Sequence, residues 1–322
     1  MKTSLLLSFI ALTLPPVADA AVSATGLLGY YTFDGSGNDT AEALGGNATA
    51  NHGSLVDNAT NGTVGTLQSG FDETTKAFGS GSLSVANGDY FTLNYPTEVQ
   101  FGTGSFTFAY WLRLPTNITS DPSIISNKNW SASGTNLGFS QSVATDDVRI
   151  NVKDATLTRA DTATVDLDPA NGAQGSADNP TSAWVFVAMV VDRDSALLSN
   201  YVADTWVPAT TGTWGSGVSG ADFGPDASNP TTISIAGRGS FDTNGLAGYA
   251  LNVGQDGDGA GYTQLTANID DLSIWNRALS REELWQIYYA GRQGGSIASA
   301  VPEVSTVFLG SLGLLALLRR RR

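Results

Sequence analysis

Apolar and polar positions along the chain fall into short segments that either alternate or run continuously apolar, divided by turn-forming residues. Gly29–Phe33, Ser82–Val85, Tyr90–Leu93, Ser105–Leu114, Val148–Val152, Trp184–Val191 and Thr232–Ala236 are of this kind, rich in β-branched and aromatic side chains. Gly, Asn, Asp and Pro clusters separate them, and 37 glycines supply the turns. Many short strands with frequent turns predict an all-β chain folded as an antiparallel sandwich or jelly roll. Residues 155–181 and 208–230 are dominated by small and polar residues and read as long loops, and no internal repeat is present.

One helix is expected near the end. Ser280-Arg-Glu-Glu283 has the spacing of a capping box, with Leu279 and Leu284 placed as a hydrophobic staple. The helix is expected to run to about Ala290 and to stop at Gly291.

The two ends carry a different pattern. Lys2, the apolar run Leu5–Leu14, Pro15-Pro16 and Ala18-Asp19-Ala20 have the order of a secretory signal peptide with an A-x-A cleavage site. At the other end Val304–Leu318 is apolar over fifteen residues, about 22 Å as a helix. Arg319–Arg322 follow it and would hold that end in the cytoplasm. Directly before the apolar segment stands Val301-Pro302-Glu303-Val304-Ser305-Thr306. This tail resembles the PEP-CTERM sorting signal, with Val304 where that family usually has its second proline. The resemblance implies export by a Gram-negative bacterium, membrane tethering through the C-terminal helix, and removal of the tail by an exosortase-type enzyme. The cell surface or extracellular matrix is then the expected location. A plain single-pass anchor is the alternative. The expected organisation is signal peptide 1–20, one domain 24–293, linker 294–300 and sorting tail 301–322.

Composition narrows the partners. Without the two end segments, 11 basic and 28 acidic residues remain, a net charge near −17. Such a surface disfavours nucleic acid and anionic membranes, and it suits a divalent cation. There is no cysteine, so an exported chain must rely on its core rather than on disulfides. Cys/His zinc sites are excluded, and the single histidine, His52, cannot build a His-rich site.

Several fragments, in order, resemble laminin-G-like, concanavalin A-like jelly rolls. They are Leu28-Gly-Tyr-Tyr-Thr-Phe-Asp34, Asn51-His-Gly-Ser-Leu55, Phe78-Gly-Ser-Gly-Ser-Leu83, Asp89-Tyr-Phe-Thr-Leu93, Gly104–Leu112, Trp184–Asp192 and Ile269–Ser280. Hydrolases of this fold carry catalytic carboxylates as Glu-x-Asp-x-Glu on one strand, where alternation puts all three on one face. This chain has only Glu42, Glu73, Glu98, Glu282, Glu283 and Glu303, none in that pattern. His52 reads as a turn residue, and no serine stands in a nucleophile elbow.

Calcium is the better candidate ligand. Asp34-Gly-Ser-Gly-Asn38-Asp39 and Asp256-Gly-Asp258-Gly present oxygen ligands on glycine-rich loops. Asp270 is in phase with Leu272 and Ile274 and is expected on the core side, where a cation would balance it. The resemblance implies a calcium held between the acid after the first strand and that of the closing strand, which map onto Asp34 and Asp270. Ordinary turn chemistry is the competing reading for all these loops, and the favoured one for Asp256 and Asp258. Trp130, Trp206 and Trp214 lie outside the clear strands and are candidates to stack on a sugar, or to pack beneath loops. The expected function is a non-enzymatic binding module for a glycan or extracellular polymer. A purely structural or adhesive matrix protein and a polysaccharide-degrading enzyme are the alternatives.

Overall fold

A computed structural model describes residues 22–58, 67, 69–114, 118, 120–128, 137–144, 147–162, 165–166, 184–206, 230–243, 249–259 and 264–301. In chain order the strands are β1 (Leu27–Tyr31), β2 (Ser54–Val56), β3 (Gly70–Asp72), β4 (Ser82–Val85), β5 (Tyr90–Thr92), β6 (Phe106–Arg113), β7 (Ser123–Ser126) and β8 (Gly138–Ala144). They continue with β9 (Asp147–Lys153), β10 (Ala160–Asp161), β11 (Val165–Asp166), β12 (Trp184–Asp192), β13 (Leu197–Trp206), β14 (Thr231–Ser234), β15 (Asn252–Val253) and β16 (Ala267–Trp275). The helices α1 (Arg281–Arg292) and α2 (Ile297–Ala300) follow.

Two antiparallel sheets form a sandwich. Sheet I has the order β14-β13-β12-β6-β16-β4-β3, with β1 also on β16; sheet II has the order β10-β9-β8-β7-β15-β5-β2, with β11 on β9. The shared core takes alternate residues from each: Phe106, Phe108, Tyr110 and Leu112 of β6 meet Phe139 and Val143 of β8 and Val148, Ile150 and Val152 of β9. The all-β, jelly-roll-like architecture expected from the alternation is what the chain adopts.

The continuous apolar run of β12 has a plain cause, because both of its faces are buried. Val185, Val187, Met189 and Val191 enter the shared core. Phe186, Ala188 and Val190 lie in a second cluster with Trp111, Trp275 and the helix residues Leu284, Ile287 and Tyr288. The layers are therefore helices, sheet I, core, sheet II.

The capping box forms as expected: Ser280 Oγ accepts from the Glu283 N–H at 3.2 Å, and Glu283 Oε2 accepts from the Ser280 N–H at 2.9 Å. The helix does not stop at Gly291. It runs through it to Arg292, and a Cβ at position 291 would sit 2.3 Å from the Trp111 ring. That glycine serves a close approach, and Gly294, at φ +80°, follows the helix end. Residues 294–300, expected as a linker, contain α2; Ile297, Ala300 and the next residue, Val301, are buried in the helical cluster. Among the described residues no helix is long and apolar enough to cross a membrane. The signal peptide, Pro302, Glu303 and the apolar tail lie outside them.

Strands β8 and β13 escape a simple alternation test because polar side chains occupy core positions. Tyr110 Oη donates to Gln141 Oε1 at 2.7 Å, Gln141 Nε2 to Asn200 Oδ1 at 3.0 Å, and Asn200 Nδ2 to the Val148 carbonyl at 2.9 Å. This chain of bonds links β6, β8, β13 and β9 through the core, and each buried polar atom in it has a partner. The 155–181 stretch, read as loop, contributes the two-residue strands β10 and β11.

Candidate functional site

The carboxylates expected to bind calcium are built into the frame of the molecule. Asp34 accepts from the N–H of Ser80, from Ser80 Oγ at 3.0 Å and from the Gly81 N–H at 2.9 Å. Asp270 Oδ2 accepts from the N–H groups of Ala77 and Phe78 at 2.8 and 3.0 Å. The structure thus brings Asp34 and Asp270 to one loop, residues 77–81, which they hold from two sides. Asp34 Oδ1 and Asp270 Oδ2 are occupied by donors of that loop, and in this structure the two carboxylates organise its backbone. Asp39 is a backbone organiser, accepting from the N–H of Tyr30 and Ala41 at 2.9 Å and of Asn51 at 3.0 Å. His52 Nδ1 accepts from the Asp39 N–H at 3.1 Å, the turn role expected of it. Asn38 is exposed. Among the described residues no three of His, Cys, Asp and Glu form a metal-holding group.

Asp270 does not share a face with Leu272 and Ile274. The register of β16 against β6 shifts between Asp270 and Ser273, and Asp271 has φ +56°. This bulge advances the phase, so Ile269, Leu272 and Ile274 enter the core and Asp270, opposite Trp111, lies on the helical side. Both acids are buried. Burial raises the Asp270 carboxyl well above the usual range, and the neighbouring Asp271 charge adds to this. Burial pushes Asp271 up to about 7 against the lowering effect of its bonds from Tyr30 Oη and the Ile297 N–H.

The outer face of sheet II is the more distinctive surface. Register by register, Asp161 stands opposite Asn151, Asn151 opposite Ser140, and Ser140 opposite Ser126. Ser126 then faces Asn252, Asn252 faces Thr92, and Thr92 faces Ser54. One polar row therefore crosses seven strands without a break, on the face away from the core. Its ends, Asp161 and Ser54, are exposed; Asn151, Ser140, Ser126, Asn252 and Thr92 are buried.

Lys128, fully buried just after β7, donates from Nζ to Asn151 Oδ1. Burial lowers its ammonium to about 7, with the Arg159 and Lys153 charges adding to the effect and Asp161 and Asp256 opposing it. Ser123 Oγ donates to Asp256 Oδ1 at 2.9 Å and lies 3.0 Å from Ser140 Oγ. Asp256 and Asp258 form a packed turn: the Gly259 N–H donates to the Asp256 carbonyl at 3.0 Å and the Gly257 N–H to that of Lys128 at 2.8 Å. A Cβ at Gly257 would lie 2.3 Å from the Asn127 backbone, so the glycine there permits the contact. Three buried atoms on this face, Asn252 Oδ1, Ser142 Oγ and Arg149 Nε, have no hydrogen-bond partner among the described residues, and Arg149 pairs with Asp121 through Nη2.

Trp130 and Trp214 lie outside the described residues, as does the side chain of Trp206. Trp206 ends strand β13, opposite Trp184, rather than standing in a loop. The polar row escapes a search for aromatics and acids, since apart from Asp161 its residues are hydroxyls and amides. The available signal was hydroxyl and amide residues alternating with apolar ones, as in Phe139-Ser-Gln-Ser-Val143 and Val148-Arg-Ile-Asn-Val152.

No family model matches the chain, and no curated protein does. Solved structures match it in fold. A point mutant of HCR/D superposes with a TM-score of 0.51 at 10% identity, over 84% of this chain and 52% of that one. The binding domain of Paraclostridial Mosquitocidal Protein 1 gives 0.47 at 12% identity, over 77% and 48%. The binding domain of botulinum neurotoxin DC in complex with SialylT gives 0.46 at 12%, over 83% and 51%. The chain spans about half the length of these structures. At such identity the first likeness bears on the fold alone, a jelly-roll-like β-sandwich.

Proposed function

We propose that the chain is an exported, laminin-G-like, non-enzymatic binding module of the cell surface or matrix, and that its polar sheet face takes a neutral glycan. The observation that carries this reading is the seven-strand row, all hydroxyl and amide side chains but for Asp161 at one end, in which Asn252 Oδ1, like Ser142 Oγ beside the row, has no partner among the described residues. Sugar hydroxyls both donate and accept, and Asn and Ser side chains match that duality. A buried polar atom without a partner costs about 1–3 kcal/mol, which a ligand hydroxyl would offset. Because the centre of the row is covered and its ends are open, binding of a linear polymer requires the centre to open. The carboxylates on this face are already engaged: Asp256 accepts from Ser123, and Asp161 pairs with Arg159 at 2.8 Å. That favours binding over hydrolysis, and calcium has no place in the reading. The tail would be the exosortase substrate that releases or re-anchors the domain.

The test is a neutral-glycan array probed with residues 21–301, followed by calorimetry on any hit. Asn252→Leu and Ser142→Ala should weaken binding about tenfold or more together, compared below the unfolding transition because Asn252→Leu also removes the Nδ2 bond to the Asp256 carbonyl. If no glycan binds, or if binding ignores both substitutions, the reading fails.

A further inference from the structure

The two chain ends leave the domain together, and on one side. The Val22 N–H donates to the Ala300 carbonyl at 3.0 Å. Val22 and Val301 are both buried in the cluster between sheet I and the helices, and the Ile297 N–H is held by Asp271. The helical layer is thus the side from which both end segments depart, opposite the polar row on sheet II.

We infer that, while the tail is attached, the helical layer rests on the surface of the lipid bilayer and the polar face of sheet II points outward. Three observations lead there. Only Pro302 and Glu303 separate buried Val301 from the apolar segment that starts at Val304. Even fully extended, that connection spans roughly 11 Å, less than two headgroup layers of roughly 6–7 Å each, so the domain stays within about 5 Å of the membrane surface. The exposed side of α1 carries Tyr289, 47% exposed, with the half-buried Trp285 ring 5.6 Å from it, the residue types that settle at a bilayer interface. The charge is also locally reversed. Residues 277–292 hold Arg277, Arg281 and Arg292 against Glu282 and Glu283, in a domain whose net charge is near −17.

This inference rests on the reading of residues 304–318 as a membrane segment and is independent of glycan binding. The chain has no cysteine, which allows single labels. Full-length protein carrying Tyr289→Cys, Glu282→Cys or Ser54→Cys, each spin-labelled, is reconstituted into phosphatidylcholine vesicles. All three positions are exposed, so the substitutions leave the core intact. Labels at 289 and 282 should lose accessibility to an aqueous nickel chelate several-fold relative to the chain cut after Val301, while the label at 54 keeps its accessibility. Equal accessibility at all three sites overturns the inference, as does protection of position 54 instead. Failure of the full chain to join the vesicles also overturns it. Glycan binding by the shortened chain is measured apart, so either reading can fall without the other.

Discussion

Sheet I and sheet II each bury an outer face in addition to the face they share, and they do so with different materials. Outside sheet I the cover is aromatic and aliphatic, with Trp111, Phe186 and Trp275 beneath α1. Its polar intruders, Asp270 and Asp271, accept mainly from main-chain N–H groups. Outside sheet II the buried polar atoms belong to side-chain hydroxyls and amides, the Lys128 ammonium and the Asp256 carboxylate, and among the described residues Asn252 Oδ1, Ser142 Oγ and Arg149 Nε lack partners. Main-chain donors are fixed by the fold, so the first arrangement is closed and self-sufficient. Side-chain networks can exchange partners, and one that is incomplete is suited to recognition. The contrast teaches that buried polarity by itself does not mark a site; what matters is whether the fold already satisfies it.

The largest expected effect tests the apolar side. Trp111→Ala should cost about 3–5 kcal/mol in denaturant unfolding, and Gly291→Ala about 1–3 kcal/mol through the clash with that ring. Neither should change glycan affinity measured below the unfolding transition. A loss of affinity without a loss of stability would break the division between the two faces.

The pH dependence should have opposite signs on the two sides. Asp271 has a folded value raised to about 7, so the folded state holds the proton more tightly than the unfolded chain. Its stabilisation is complete below the ordinary carboxylate range and is lost as pH rises through about 7. Lys128 is lowered to about 7, so its contribution is lost as pH falls below the ordinary lysine value and reaches its full loss below about 7. Each effect is on the order of a few kcal/mol. Melting profiles of Asp271→Asn should flatten between pH 4 and about 7, and those of Lys128→Met between about 7 and 10.5. An unchanged slope in either variant would mean that the group titrates as in water.

Smaller still is the effect of removing a single acceptor from the polar face. Asn151→Ala leaves Lys128 without its amide partner and should cost about 1–3 kcal/mol at pH 6, less at pH 9 where the amine is neutral. Equal costs at both pH values would contradict the partnership. Chelation of divalent cations should leave the melting temperature where it was; a clear drop would bring calcium back to Asp34 and Asp270.

Alternation and turn residues made the sandwich readable from the sequence, and the capping box located the start of α1. What they hid follows from three local facts. Gln141 and Asn200 occupy core positions, so the apolar stripes Phe139–Val143 of β8 and Leu198–Val202 of β13 are interrupted. Gly291 looks like a helix terminator but is a packing contact. The polar row is assembled from seven separate segments, each contributing one residue, and only the strand register reveals it. Asp34 and Asp270 both accept from the backbone of residues 77–81, a contact between distant parts of the chain that no local pattern in the sequence displays.

The bulge at Asp271 has a consequence for how sequences of this kind should be compared. Ile269 and Leu272 both face the core although they are three residues apart, and at the same point β16 changes neighbour from β4 to β1. A relative lacking the extra residue would present the same core with one position fewer. An alignment that enforces even spacing would then shift every residue from Leu272 to the capping box by one place. A single gap set at position 271, where the left-handed backbone tolerates Asp, Asn or Gly, would restore the match.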